Sequence, residues 1–133
     1  MVDIVTKVRS NKRLLRNWVK TKVLIIDEIS MVDGGFFDYL ESIARQLKNI
    51  NQPFGGIQLV LCGDFLQLPP VVKNDENVKF CFQSESWDEC VPARFELREV
   101  YRQSGDPEFA KMLNNVRVGQ IPGWVERRQG FLH

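Results

Sequence analysis

Residues 22–33, KVLIIDEISMVD, decide how this chain is read. Val23, Leu24, Ile25 and Ile26 form a continuous apolar run, too short for a typical helix and characteristic of a central parallel strand buried on both faces. The run stops on two adjacent carboxylates, Asp27 and Glu28. A charge at the end of a buried strand is costly unless something pairs with it; a bound cation or a reacting water is such a partner.

Downstream, Asp33 is a candidate N-cap for a helix whose apolar stripe is Phe36, Leu40, Ile43, Leu47 and Ile50, with Glu41 and Arg45 paired one turn apart on its surface. NQPFGG breaks that helix, and a second apolar strand, Ile57 to Cys62, again runs onto a carboxylate, Asp64. Two buried strands joined through a helix make a βαβ unit, so Asp27, Glu28 and Asp64 fall at one carboxyl edge, where open α/β sheets bind ligands. Upstream, Ile4, Val5, Val8, Leu14, Leu15, Trp18 and Val19 have helical spacing broken near Ser10 and Asn11, which predicts one or two short helices.

Further on, Pro69 and Pro70 end the second strand's extension, and Lys73 to Asn77 reads as a loop tip. Phe80, Phe82 and Trp87 mark a short aromatic segment. ARFELREVY, with Phe95 and Leu97 on one side, reads as a third strand. A last helix has Asp106 as N-cap, Pro107 at its first position, a buried face of Phe109, Met112, Leu113 and Val116, and a stop at Gly119.

The 133 residues, 44% hydrophobic and 26% charged, suffice for one ordinary domain and are too few for two. No membrane-length apolar run or secretory leader is visible, so a nuclear, mitochondrial or cytoplasmic location is expected rather than secretion. Cys62, Cys81 and Cys90 have no disulfide or zinc spacing and read as reduced structural thiols. The net charge of +1 conceals a basic segment: Lys7, Arg9, Lys12, Arg13, Arg16, Lys20 and Lys22 stand against Asp3 alone. Such a segment is either a solvated helix face or a phosphate-facing surface.

An aspartate closing a buried strand can hold Mg²⁺ through its water shell, and a neighbouring glutamate can reach a water attacking a γ-phosphate. Gln67, just past the second strand, can orient that water or sense the phosphate; in isolation it reads first as a turn residue capping backbone groups. Arg102 can clamp transition-state charge; in isolation it reads first as a surface ion pair.

Together the strings LIIDEISMVD, PFGGIQLVLCGDFLQLPPV and LREVYRQSGDPEFAKMLNNVRVG resemble successive motifs of the Pif-type DNA helicases, a superfamily-one group related to RecD. The resemblance covers about residues 7–120. It implies an incomplete RecA-like (P-loop NTPase) α/β domain, a parallel sheet with flanking helices, over residues 1–120, followed by a divergent tail at 121–133. It implies ATP and Mg²⁺ as cofactors, 5′ to 3′ movement on single-stranded DNA, and unwinding of forks and G-quadruplexes in replication, repair, recombination and telomere maintenance. The full-length family form would be monomeric and have no membrane partner. By resemblance Asp27 is the Mg²⁺-associated carboxylate, Glu28 the catalytic base, Gln67 the γ-phosphate sensor and Arg102 the transition-state arginine. The segment after Pro69 and Pro70 is similar to the family's wedge region, where basic and aromatic side chains would meet single-stranded DNA.

Two family elements are absent from these residues, the Walker A loop and the second motor domain, whose motion against the first would convert ATP turnover into translocation. GxxxxGK[ST], the Walker A loop whose N–H groups cradle phosphates, does not occur, because none of the nine glycines is followed by Lys. The chain is therefore expected to carry half of an ATP site and to show no ATPase alone. Two other readings remain: a non-catalytic single-stranded DNA-binding or interaction module, and a metal nuclease with Asp27, Glu28 and Asp64 as ligands.

Overall fold

Asn11 divides the basic segment into two helices. In the computed structural model, which describes residues 2–71, 78–99 and 105–120, α1 (Val2–Ser10) ends before it and α2 (Lys12–Lys20) starts on it. Asn11 has extended backbone, and its Oδ1 accepts the N–H groups of Arg13 (3.1 Å) and Leu14 (3.2 Å), satisfying donors that have no partner inside the helix. The chain divides into two units, Met1–Arg94 and Phe95–His133.

In the first unit, β1 (Val23–Ile26) and β2 (Gln58–Leu61) pair in parallel, Val23 opposite Gln58 and Ile26 opposite Leu61, with α3 (Gly34–Lys48) between them in sequence. The βαβ unit is thus present. Burial of the strands on both faces is not: Leu24, Ile26, Leu59 and Leu61 pack on the core, whereas Val23, Ile25 and Val60 are exposed, Ile25 at 68%. The described residues cover one face of the sheet only. A fully apolar strand records a sheet with two covered faces, but it does not supply the second cover.

Helix α3 begins where Asp33 accepts the N–H of Phe36 (2.9 Å). Its buried arc is wider than the predicted stripe and differently phased, because it meets two clusters. Phe37 and Ala44 join Ile29, Phe54, Ile57, Cys81 and Trp87, while Ile43 and Leu47 join Val5 and Val8, with Leu15 and Trp18 of α2 against them. Phe37 is 0% exposed, and its ring lies 5.2 Å from Phe54 and 5.6 Å from Trp87, whereas Phe36 is 52% exposed and Ile50 also faces solvent.

Glu41 and Arg45 are not a surface pair. Glu41 is 7% exposed, and its carboxylate accepts the N–H of Phe54 (3.2 Å) as well as the Arg45 guanidinium, which also donates to Asn51 and Glu89. The cause lies in the Pro53–Gly56 turn, where Phe54 adopts left-handed backbone and enters the core; its buried N–H needs an acceptor, and Glu41 supplies one. Gly55, at φ +60, lets that turn approach α3: a Cβ there would lie 2.7 Å from the Ala44 carbonyl oxygen.

Asp38 ties α3 to the segment leading into α4 (Trp87–Cys90). Its carboxylate accepts from Ser86 Oγ (2.6 Å), Ser86 N (2.9 Å), Glu85 N (3.1 Å) and Lys79 Nζ (3.4 Å). Burial would raise its pKa, but these donors outweigh burial and hold it below the ordinary value. Cys81 is buried and donates to the Val32 carbonyl (3.1 Å); burial, reinforced by Asp33 and Asp38, pushes its thiol up to about 12. Burial likewise pushes Cys90 up to about 11. Both are structural thiols.

In the second unit, residues 95–99 form no strand, nor do Ala93 and Arg94 before them. Phe95 and Leu97 are 90% and 95% exposed: alternation places side chains on one face, but without a ladder partner among the described residues there is nothing for that face to cover. Helix α5 (Pro107–Arg117) keeps its predicted punctuation, with Asp106 accepting the Phe109 N–H (3.0 Å) and Gly119 at φ +77, but Phe109, Leu113 and Val116 are exposed rather than buried. The predicted loop tip at Lys73 to Asn77 lies outside the described residues.

Two measurements check this packing. Phe37→Ala should lower the urea unfolding free energy by about 3–5 kcal/mol, and Phe36→Ala by less than about 1 kcal/mol. Because the folded pKa of Asp38 is depressed, its contribution is complete above the unfolded value of about 3.9 and is lost as pH falls through the folded value. The stability advantage over Asp38→Asn should therefore be fully present at pH 6 and shrink only as pH falls below about 3.9.

Candidate functional site

The site is built by what happens immediately past the two strands. Asp27 Oδ1 accepts the N–H of Glu28 at 2.9 Å, and Glu28 turns the chain through left-handed backbone, φ 51 and ψ 47. This conformation costs a non-glycine residue roughly 1–2 kcal/mol. The turn brings the Ile29 N–H to the Cys62 carbonyl (3.0 Å), while the Cys62 N–H donates to the Ile26 carbonyl (3.0 Å). Ile29 and Ser30 are buried beneath the turn, and Asp27 and Glu28 stay exposed.

Gly63 then passes against the same turn. A Cβ on it would lie 2.8 Å from Ile29 N and 3.4 Å from the Glu28 carbonyl carbon. Beyond it, Asp64 organises the turn that follows: its carbonyl accepts the Gln67 N–H (2.9 Å), Oδ1 accepts the Leu66 N–H (3.0 Å) and Oδ2 accepts Gln67 Nε2 (3.0 Å). This is an Asx-type turn. It commits Asp64 Oδ1 to the Leu66 N–H and Oδ2 to the Gln67 side chain, whose amide retains a second hydrogen and its carbonyl oxygen. Phe65 anchors the turn, with its ring 4.9 Å from Phe82 and 6.0 Å from Trp87.

The structure thus brings Asp27, Glu28, Asp64 and Gln67 to one carboxyl edge. Arg102 lies outside the described residues. Asp64 is a positioning residue for Gln67 in this arrangement, and among the described residues no three His, Cys, Asp or Glu side chains gather to hold a metal ion. The use of both Asp64 carboxylate oxygens within its own turn tells against Asp64 as a ligand in the nuclease reading. Reasoning from sequence overlooked Gly63, although the Gly-Asp pair directly after a strand signals a close backbone approach. Among the described residues no helix is long and apolar enough to cross a membrane.

A family model described as PIF1-like helicase matches residues 2–127. The ATP-dependent DNA helicase PIF1 of Candida albicans is 48% identical over 129 residues, covering 90% of this chain and 14% of that protein. The ATP-dependent DNA helicase RRM3 of Saccharomyces cerevisiae is 54% identical over 121 residues, covering 90% of this chain and 17% of that protein. The fold is similar to a crystal structure of the Pif1 helicase from Candida albicans (TM-score 0.87, 49% identity), covering 95% of this chain and 28% of that one. It is also similar to Pif1 helicase from Bacteroides in complex with ADP-AlF3 and single-stranded DNA (TM-score 0.76, 33% identity, 84% and 28% covered). The chain therefore spans less than a fifth of the length of these curated relatives.

The close approach at Gly63 is directly testable. Gly63→Ala should lower the unfolding free energy by about 1–3 kcal/mol. Gly105→Ala, where a Cβ would meet nothing within 4 Å, should change it by less than about 0.5 kcal/mol.

Proposed function

The chain belongs to the PIF1-like helicase family, and on that footing we propose that it forms part of the first motor domain of an ATP-dependent 5′ to 3′ DNA helicase and carries half of its ATP site. The observation that carries the reading is the pair of interlocked turns, Asp27–Glu28 on Gly63 and Asp64 on Gln67, at one strand edge. The domain is read as a RecA-like parallel sheet over residues 1–120, without a Walker A loop in these residues, and 121–133 as a divergent tail.

Asp27 fits a Mg²⁺ site: one carboxylate oxygen is held by the Glu28 N–H, and the exposed group can accept hydrogen bonds from a metal's water shell. Bound Mg²⁺ would supply charge neutralisation on the β- and γ-phosphates of ATP. Glu28 orients the attacking water and takes its proton, Gln67 contacts the γ-phosphate from the turn that Asp64 holds, and Arg102 stabilises transition-state charge. Relatives solved with ADP-AlF3 and single-stranded DNA, and a structural account of unwinding at forked double-stranded DNA by two coordinating Pif1 helicases, support ATP and DNA as the ligands. Replication, repair, recombination and telomere maintenance are the settings this reading assigns, with G-quadruplex DNA among the substrates.

The isolated chain, given Mg²⁺-ATP with and without oligo-dT, should show no turnover. Turnover that Glu28→Gln abolishes would overturn the half-site. Joined to the Walker A segment of a PIF1-like relative, the chain should hydrolyse ATP in response to DNA, and Glu28→Gln should lower kcat by about 10²–10⁴-fold. An unchanged kcat would remove Glu28 from the role of base.

A further inference from the structure

Helix α2 carries a face that the ATP half-site does not use. At about 100° per residue, Lys12, Arg13, Arg16 and Lys20 fall within one arc of about 100°, with Asn17 beside it. All four cations are exposed, and no carboxylate among the described residues pairs with them. The opposite arc is engaged: Leu15 and Trp18 pack against Val5, Val8, Ile43 and Leu47. Helix α2 leads into the first residue of β1, whereas Asp27 and Glu28 follow its last.

This arrangement works against the helix that carries it. Lys12, Arg16 and Lys20 stand one turn apart, where like charges repel. Lys12 and Arg13 occupy the first turn, where the helix dipole disfavours cations, and that turn has no acidic residue. A face needing only solvation would be better served by mixed charges.

We propose that this face is a contact for the phosphate backbone of duplex DNA, separate from the carboxyl-edge site. Lys12 to Lys20 spans about 12 Å along the helix axis. With successive phosphates of one strand about 7 Å apart along the backbone, that length faces about two to three phosphates of a duplex. Binding of single strands relies on aromatic side chains for base stacking, and this face presents none, since Trp18 is turned into the core. Insertion into a membrane surface would need the apolar arc that already packs on α1 and α3. The choice of DNA as the polyanion rests on the helicase reading; the location and the preference for duplex do not.

The test is fluorescence anisotropy of the 133-residue chain with a labelled 20-base-pair duplex and with a labelled dT20 strand. Duplex affinity should fall roughly 12- to 40-fold between 50 and 200 mM salt, as expected for about two to three neutralised phosphates. The Lys12→Gln/Arg13→Gln/Arg16→Gln/Lys20→Gln variant should lose most of that affinity and most of the salt dependence. The charge-preserving Lys12→Arg/Arg13→Lys/Arg16→Lys/Lys20→Arg variant should retain both, and an unchanged near-ultraviolet circular dichroism spectrum checks that each variant is folded. Undiminished duplex binding by the neutralised variant would overturn the proposal, as would equal loss in the charge-preserving one, tighter binding of dT20 than duplex, or capture by phosphatidylserine vesicles but not by duplex. None of these outcomes touches ATP hydrolysis by the chain joined to a Walker A segment, which tests the helicase reading separately.

Discussion

Two hydrogen bonds made by Cys62, its N–H to Ile26 and its carbonyl from Ile29, hold the chain together where the strands end. They carry the parallel ladder across the Asp27–Glu28 turn, so two charged side chains are left outside while Ile29 and Ser30 are drawn inside. Everything assigned to the carboxyl edge depends on that exchange. Without it the acidic pair would be a loop, and the Asp64 turn would have no fixed relation to it.

The same economy of backbone partners governs the interior. Phe54 enters the core only because Glu41 accepts its N–H, and Glu41 is tolerated there because Arg45 holds its charge. Asp38 plays the corresponding part for Glu85 and Ser86. Helix α3 thus contributes both its apolar arc and two carboxylates that terminate neighbouring segments. A purely apolar helix of the same shape would leave those N–H groups without acceptors.

What could be read from sequence followed local chemistry. Asn11 interrupting the basic segment, Asp33 and Asp106 as caps, Gly119 as a stop and the parallel βαβ unit are each dictated by a few adjacent residues. The strings DEISMVD and GDFLQLPPV likewise led to the right family. What escaped depended on partners distant in sequence. The phase of α3 is set by two clusters meeting it at once, the burial of Glu41 by a turn thirteen residues away, and the exposure of Phe95 and Leu97 by the lack of a partner strand among the described residues. At the candidate site, the position of the acidic pair and of Gln67 at one strand edge was legible; Asp64 as the group holding Gln67 was not, because a carboxylate at a strand end looks the same whether it faces a metal or its own turn.

The left-handed backbone of Glu28 sets stability and chemistry in opposition at a single position. Glycine is the residue this conformation favours, and placing it there would relieve strain while deleting the carboxylate assigned as base. A search for thermally hardier versions of this chain, guided by melting temperature alone, would therefore be drawn to the one position whose side chain the helicase reading can least spare.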